Sequence, residues 1–266
     1  MNAQGESRPA VVVTGASGGI GREIAKEAAR EGGPVVLIAR SAEALARTAD
    51  EVRAAGGEPF TLVLDLSRPE APAEVERYLE AHGLVCEVLV NNAGYGLLGA
   101  AAALPREDQL GIVDLNIRAL ADLTLRFLPG MLVRKSGGII NLASVASFLP
   151  GPNMALYYAS KAFVRSFSEA LSQEVRGRGV TVTCVAPGPV STDFLIRSGA
   201  KQANLFKLVP KMTAEGVAKS GWRAFRRGRR LVVPGVAATL SALSAAYFPH
   251  AVTLPVVARL QRRRRG

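Results

Sequence analysis

Tyr157 and Lys161 stand four residues apart in Ala155–Arg176, a stretch whose apolar pattern predicts a helix. Residues four apart lie on one face of a helix, so both side chains can meet the same ligand. A phenol with its ordinary pKa near 10 holds its proton too tightly for acid–base work at neutral pH. A nearby ammonium stabilises the phenolate and lowers that pKa, so the pair predicts a general acid–base at Tyr157. The same spacing is also typical of an amphipathic helix with a surface lysine.

A glycine-rich segment lies between the predicted strand Ala10–Thr14 and the predicted helix Ile20–Glu31. Glycines let the backbone turn tightly and approach a pyrophosphate, and the first N–H groups of the helix bind the anion. This context predicts a dinucleotide site and disfavours a turn that binds nothing. The predicted contact residues are Gly15, Ser17, Gly19, Ile20 and Gly21.

The end of the second predicted strand bears on the choice of dinucleotide. It reads Leu37-Ile38-Ala39-Arg40-Ser41, without the acidic residue that commonly bonds the ribose 2′-hydroxyl of NAD. Arg40 can pair with a 2′-phosphate, and Ser41 stands beside it. The segment therefore predicts NADP(H) in preference to NAD(H), the alternative being a surface arginine at a strand end.

Short apolar runs alternate with helical stretches along most of the chain, which predicts a doubly wound parallel sheet, the Rossmann fold. We expect one α/β domain over residues 8–234 with a small lid at about 191–210, followed by an apolar and then arginine-rich extension over 235–266. The other predicted strands are Pro34–Ala39, Pro59–Leu64, Val85–Asn91, Gly137–Ala143 and Val180–Ala186, and the other predicted helices are Ala42–Ala55, Glu70–His82 and Arg106–Val133.

Composition excludes several classes of protein. The chain has 266 residues, of which 48% are hydrophobic, enough for a sizeable core. Two cysteines and two histidines argue against a disulfide framework and against a metal site, and we predict no metal. The polar start, Met1–Pro9, lacks the apolar region of a secretory signal, so we expect a cytoplasmic protein.

The net charge of +11 lies entirely after Glu215, because the segment Gly216–Gly266 holds 11 basic residues and no acidic one. Such a tail indicates an anionic surface nearby or a solvated terminus. Leu231–Ala258 carries no charged residue, but prolines interrupt it and its longest free run is too short to span a membrane. Three alternatives remain open: a wall of the substrate pocket, packing on another subunit, or a membrane interface beside Arg262–Arg265.

We predict no specific nucleic-acid binding, since no recognition motif accompanies the basic residues. Trp222 and Phe225 lie near arginines, but their helical spacing indicates core residues.

Five segments in order resemble the short-chain dehydrogenase/reductase family, from about Val11 to Thr192. They are the loop Thr14–Gly21, Asn91-Asn92-Ala93-Gly94, Ser144, Tyr157-x-x-x-Lys161, and Pro187-Gly188-Pro189-Val190-Ser191-Thr192.

The resemblance implies a catalytic role for four residues. Tyr157 gives its proton to a carbonyl oxygen as hydride reaches the carbon, and Ser144 orients that oxygen. Lys161 bonds the nicotinamide ribose and lowers the pKa of Tyr157. Asn116 holds a water against Lys161; a capping or core hydrogen bond is its alternative role.

The resemblance also implies further cofactor contacts. Asp65 and Leu66 line the adenine pocket, with helix capping as the alternative for Asp65. The backbone around Asn92 and Gly94 faces the adenosine ribose. The nicotinamide side is formed by Pro187, Gly188, Val190 and Thr192.

These residues favour NADPH-dependent reduction of a carbonyl, or the reverse oxidation of an alcohol. The apolar bias of 147–154 and 191–210 favours a lipid-like, steroid-like or aromatic ketone. The alternative is a non-catalytic dinucleotide sensor or scaffold, which has no need of Ser144, Tyr157 and Lys161 together. An epimerase or dehydratase usually has a larger substrate domain. We expect a homo-oligomer, a dimer or a tetramer, with peripheral contact to an anionic membrane through the tail.

Overall fold

Parallel strands form one sheet in the order β3-β2-β1-β4-β5-β6-β7. The computed structural model describes residues 7–192, 194, 211–236, 238–240 and 249–261. The strands are β1 (Arg8–Thr14), β2 (Pro34–Ala39), β3 (Glu58–Val63), β4 (Leu84–Asn91), β5 (Gly138–Leu142), β6 (Thr181–Val185) and β7 (Leu231–Val232).

The central strands are apolar on both sides because helices cover both faces of the sheet. Every residue of β2 is buried. In register, Val13 of β1 lies between Leu37 of β2 and Val90 of β4. The helices are α1 (Gly19–Ala29), α2 (Ala42–Ala54), α3 (Ala71–Ala81), α4 (Arg106–Val113), α5 (Leu120–Arg134), α6 (Ala155–Glu174), α7 (Ala214–Arg226) and α8 (His250–Leu260).

Two apolar clusters hold the layers together. One joins α1, α2 and α7 to the sheet through residues such as Ile24, Leu45 and Trp222. The other joins α3, α5 and α6 through residues such as Leu79 and Leu123. Trp222 and Phe225 are buried in the first cluster, which confirms their prediction as core residues.

The strand order reverses between β1 and β4, and this position fixes where a ligand can bind. From β1 the chain builds outwards to β2 and β3, and β4 then pairs on the other side of β1. The crevice at the carboxyl ends of such neighbouring strands is the usual ligand site of an open α/β sheet. The predicted doubly wound parallel sheet is confirmed.

The long helix predicted over Arg106–Val133 is interrupted. A π-helical turn, Asp114–Ala119, separates α4 from α5. Asn116 lies inside this turn with its side chain buried and bonded to the backbone of Tyr95. Turns of this kind are common at functional sites, and this one faces the start of α6.

The described parts of the C-terminal extension pack against the domain. A Cβ placed on Gly188 would lie 3.2 Å from the Cβ of Ala238, and Gln261 is buried against Tyr158. No helix among the described residues is long and apolar enough to cross a membrane. Arg262–Arg265 and most of the predicted lid lie outside the described residues, so the domain limits remain a prediction.

Candidate active site

The loop after β1 is shaped to receive an anion. Gly15 and Gly19 have positive φ angles of 65° and 54°, a region that favours glycine. Helix α1 begins at Gly19 without a side-chain cap and without an acidic residue in its first turn. Its first N–H groups and its dipole are therefore available to a pyrophosphate, as the sequence predicted for this loop.

Gly21 is required by close packing within the loop. A Cβ at this position would lie 2.4 Å from the Asn92 Nδ2 and 2.4 Å from the Gly15 carbonyl oxygen. The Asn92 amide donates to the carbonyl oxygens of Thr14 and Gly15 at 2.9 and 3.1 Å. The side chain of Asn92 thus holds the loop after β4 against the glycine loop. Its predicted backbone contact with a ribose stays a prediction.

Thr14 is a site residue that the sequence reasoning missed. Its hydroxyl donates to the Val90 carbonyl at 3.1 Å and accepts from the backbone N–H groups of Asn92 and Ala93 at 2.9 and 3.0 Å. These bonds join the ends of β1 and β4. A threonine placed directly before the first loop glycine was the available signal.

Arg40 projects into solvent at the end of β2, with 72% of its side chain exposed. Its Nη1 lies 4.0 Å from the Asp65 Oδ2. Ser41 caps α2 by accepting from the Ala44 N–H at 3.3 Å, which is a structural use of the hydroxyl. The guanidinium can therefore turn towards a phosphate at this edge.

Asp65 is fixed by its neighbours. One carboxylate oxygen accepts from the Ser67 N–H and hydroxyl at 3.0 and 2.8 Å. Burial alone would raise the pKa of Asp65, but these bonds and the charges of Arg40 and Arg68 hold the pKa below its usual range. The carboxylate is therefore ionised at neutral pH. The neighbouring Leu66 is buried and lines a small cavity together with Ala93 and Leu115.

Ser144, Tyr157 and Lys161 meet between the end of β5 and the start of α6. Ser144 directly precedes a short 3₁₀ turn, Val145–Phe148, and its hydroxyl accepts from the Ala146 N–H at 3.1 Å. The Ser144 hydroxyl lies near enough to the phenol of Tyr157 to lower the pKa of that phenol. The Lys161 Nζ lies 5.9 Å from the centroid of the Tyr157 ring. The structure thus brings together the three residues that the sequence predicted for proton transfer.

Burial controls the protonation of this group. It raises the pKa of Tyr157 to about 12, although the nearby Ser144 hydroxyl acts in the opposite direction. It lowers the pKa of Lys161 to about 8. Lys161 donates to the Leu142 carbonyl at 2.7 Å, and its predicted lowering of the Tyr157 pKa stays a prediction. At neutral pH the phenol of Tyr157 therefore keeps its proton, and its raised pKa makes it a weaker acid than a free phenol.

Asn116 is linked to the backbone of Tyr157 through the hydroxyl of Ser160. Its Nδ2 donates to the Tyr95 carbonyl at 2.9 Å and to the Ser160 Oγ at 3.0 Å, and its Oδ1 accepts from the Tyr95 N–H at 3.1 Å. The Ser160 hydroxyl donates in turn to the Tyr157 carbonyl at 2.7 Å. Asn116 therefore fixes the first turn of α6. Its predicted water stays a prediction.

Gly94 lies between two of these groups. A Cβ there would lie 3.0 Å from the Asn116 Oδ1 and 3.6 Å from the Lys161 Nζ. Any side chain at this position would fill the space beside the ammonium. Gly94 is thus brought to the site, as its predicted cofactor role requires.

The turn after β6 closes the site from the other side. The Pro187 carbonyl accepts from the Val145 N–H at 3.0 Å and lies 3.4 Å from the Ser144 hydroxyl. A Cβ on Gly19 would lie 3.2 Å from the Thr192 Cγ2. This turn therefore touches both the glycine loop and Ser144. Val190 is buried in the core cluster under α7, so its side chain serves packing.

Two residues frame the ring of Tyr157. The Phe194 ring lies 5.3 Å from it, centroid to centroid, in a tilted contact. A Cβ on Gly96 would lie 2.9 Å from the Tyr157 Cδ2. Phe194 belongs to the segment from which the sequence predicted pocket residues, whereas Gly96 carried no signal in the sequence.

Metal ligands do not cluster in the described part of the chain, where no group of three or more His, Cys, Asp or Glu side chains could hold an ion. Cys86 and Cys184 are both free and buried.

Comparisons with known proteins place the sequence of this chain among oxidoreductases. A family model described as short chain dehydrogenase matches residues 9–203. A short chain dehydrogenase of Pseudocercospora fijiensis is 36% identical over 185 residues, covering 69% of this chain but only 60% of its own length. A 3-oxoacyl-[acyl-carrier-protein] reductase of Pseudomonas aeruginosa is 35% identical over 194 residues, which are 73% of this chain and 77% of that protein.

A solved structure extends the match to three dimensions. The short-chain dehydrogenase of Sphingobium yanoikuyae in complex with NADPH superposes with a TM-score of 0.79 at 32% identity, covering 90% of this chain and 93% of the other.

The fold and the site define an NAD(P)-dependent oxidoreductase built on a Rossmann sheet. The chain belongs to the short chain dehydrogenase family.

Proposed function

We propose that this enzyme reduces a carbonyl on an apolar substrate with NADPH, or oxidises the corresponding secondary alcohol. The observation that carries the proposal is the meeting of Ser144, Tyr157 and Lys161 beside the turn Pro187–Thr192. A protein that only senses or displays a dinucleotide has no use for a phenol, a serine and a lysine gathered at this place.

The dinucleotide supplies hydride for the carbonyl carbon when it is bound. Tyr157 carries the matching proton, which burial retains on the phenol throughout the neutral range. Ser144 donates to the same carbonyl oxygen and orients it. In the reverse direction the phenol oxygen accepts the alcohol proton. Lys161, charged below a pKa of about 8, would bond the nicotinamide ribose.

The residues around the glycine loop fit a dinucleotide. The uncapped start of α1 suits the pyrophosphate, Asp65 and Leu66 suit the adenine side, and Gly188 and Thr192 suit the nicotinamide side. The exposed guanidinium of Arg40 supports a preference for NADP(H), because it can pair with a 2′-phosphate. The bound NADPH of the Sphingobium yanoikuyae relative agrees with this choice.

An apolar surface beside Tyr157 supports a lipid-like or steroid-like ketone. Leu98, Met154 and Tyr158 form a buried cluster there, and Phe194 lies against the Tyr157 ring. The Pseudomonas aeruginosa relative is named for a 3-oxoacyl substrate, a carbonyl on an aliphatic chain.

The test is a panel of ketones scanned for oxidation of NADPH by the full chain. We expect turnover with apolar ketones and little turnover with charged ones. Tight NADPH binding without turnover on any ketone or, in reverse, on any alcohol would favour the alternative, a dinucleotide sensor or scaffold.

We further propose a cytoplasmic homo-oligomer whose basic tail touches an anionic membrane. The exposed Leu125 and Val133 on α5 support a contact between copies. Arg262–Arg265 directly follow Gln261 and would add roughly 1 kcal/mol each near anionic headgroups. Co-sedimentation with anionic and neutral vesicles tests this. A chain with these four arginines changed to serine should lose its preference for anionic vesicles, and equal binding of both chains would contradict the proposal.

A further inference from the structure

Helix α8 is followed by a wholly buried polar residue. Gln261 has no exposed surface, and its Nε2 donates to the phenol of Tyr158. The two residues lie 103 positions apart in the chain. Glutamine is rarely buried without a partner, so a bond of this kind fixes the position of the residue that makes it.

Tyr158 is itself part of the wall beside the catalytic group. Its ring meets the Tyr157 ring edge to face at 6.0 Å between centroids. On another side it lies against Gly151, where an added Cβ would come within 2.3 Å of the ring. With 7% of its surface exposed, Tyr158 has little freedom to move. It therefore offers a rigid attachment point.

The rest of α8 is held less firmly. The helix has no side-chain cap at its start, and Pro255 stands inside it without an N–H to donate. Val256 is 51% exposed. The Thr253 hydroxyl is buried without a hydrogen-bond partner in the described part of the chain. The bond from Gln261 to Tyr158 attaches the end of α8 to the domain, although the Gln261 Oε1 is itself buried without a partner among the described residues.

We propose that Gln261 is a specificity-determining residue, because its bond to Tyr158 anchors α8 as an outer wall of the substrate pocket. An anchored α8 presents apolar surface to a large substrate next to Tyr157. A small ketone reaches Ser144 and Tyr157 without touching that wall. The predicted dinucleotide contacts follow the carboxyl ends of β1 and β2, and none of them is the bond between Gln261 and Tyr158. This inference rests on the proposed function.

The test uses Gln261→Leu, Tyr158→Phe and the double variant, with Val256→Ala as a control on the exposed face of the same helix. KM and kcat are measured at saturating NADPH for a steroid ketone and for acetone. Hydrogen exchange of the amides of 250–260 is measured on the same proteins. Losing one hydrogen bond should raise the KM for the steroid ketone roughly fivefold to tenfold.

We expect faster exchange and the higher steroid KM in each single variant, with kcat for acetone and the Kd for NADPH unchanged in Gln261→Leu. The steroid KM of the double variant should rise no more than that of the more affected single variant, since both substitutions remove the same hydrogen bond. Val256→Ala should behave as the parent.

Three results would overturn the proposal. Unchanged exchange in Gln261→Leu would show that the bond does not anchor α8. Additive losses in the double variant would show that the two residues act separately. Faster exchange with an unchanged steroid KM would show that α8 is no pocket wall. A parent that neither reduces nor binds any ketone would instead refute the proposed function, and the exchange data would still decide the anchor.

Discussion

The Lys161 ammonium lies 5.9 Å from the centroid of the Tyr157 ring, one helical turn along α6, and donates to the Leu142 carbonyl. Lys161 is buried and Tyr157 is partly buried, and desolvation moves their pKa values in opposite directions. The phenol keeps its proton, and the ammonium sits closer to losing its own.

Tyr157→Phe should abolish turnover while NADPH binding survives, since only the proton donor is removed. Losing general acid–base chemistry typically lowers kcat about 10²–10⁴-fold. The measurements are kcat on a ketone that the parent reduces and the Kd for NADPH. Tyr158→Phe is the matched control and should keep its kcat on acetone. Equal losses in both variants would mean that the wrong tyrosine has been assigned.

Lys161→Met should make the protein more stable at pH 7, because a charged lysine is buried there at an energetic cost. Between its folded pKa of about 8 and its ordinary value of 10.5, the unfolded chain binds more protons than the folded one. Stability of the parent therefore rises with pH across that window. Below pH 8 the buried charge lowers the free energy of unfolding of the parent by about 3 kcal/mol. The gain in Lys161→Met is smaller than this, because the variant also loses the hydrogen bond to Leu142.

Urea unfolding of Lys161→Met and the parent at pH 7 and pH 10.5 measures this difference. The free energy of unfolding of Lys161→Met should exceed that of the parent at pH 7, and the difference should disappear by pH 10.5. Lys219→Met removes an exposed lysine from α7 and should bring no gain at pH 7. A Lys161→Met protein less stable than the parent at pH 7 would contradict the burial argument.

Arg40→Asp should reverse or remove the preference for NADP(H). The carboxylate would repel a 2′-phosphate and could accept from a 2′-hydroxyl. The measurement is the ratio of dissociation constants for NADPH and NADH. Arg47→Asp, an exposed arginine on α2, is the control for net charge. Equal affinities in the parent, or an unchanged ratio in Arg40→Asp, would refute the role of Arg40.

Gly21→Ala should damage the glycine loop, whereas Gly18→Ala should leave the fold intact. A Cβ at Gly21 collides with Asn92 and with the Gly15 carbonyl, while a Cβ at Gly18 meets nothing within 4 Å. The φ angle of Gly18 is 172°, extended backbone that any residue adopts. We expect a clear fall in Tm for Gly21→Ala and a change under about 1 kcal/mol for Gly18→Ala. Similar Tm values for both would show that the packing at Gly21 is soft.

Much of the fold and of the site was predictable, because short stretches of consecutive residues carry the patterns that indicate them. Strand–helix alternation, the glycines between β1 and α1, and the spacing of Tyr157 and Lys161 are local patterns. Such local patterns indicate the backbone conformation of an element and the face on which its side chains lie. They predicted the parallel sheet and the pair Tyr157 and Lys161, whereas Ser144 was predicted from the family resemblance.

Tertiary structure alone decided the rest, because contacts between distant segments depend on how finished elements pack. It set the burial that raises the pKa of Tyr157, and it joined Asn116 to α6 through Ser160. It also brought Gln261 to Tyr158 across 103 residues. No spacing along the chain encodes such a pairing, since either residue alone is compatible with an ordinary helix.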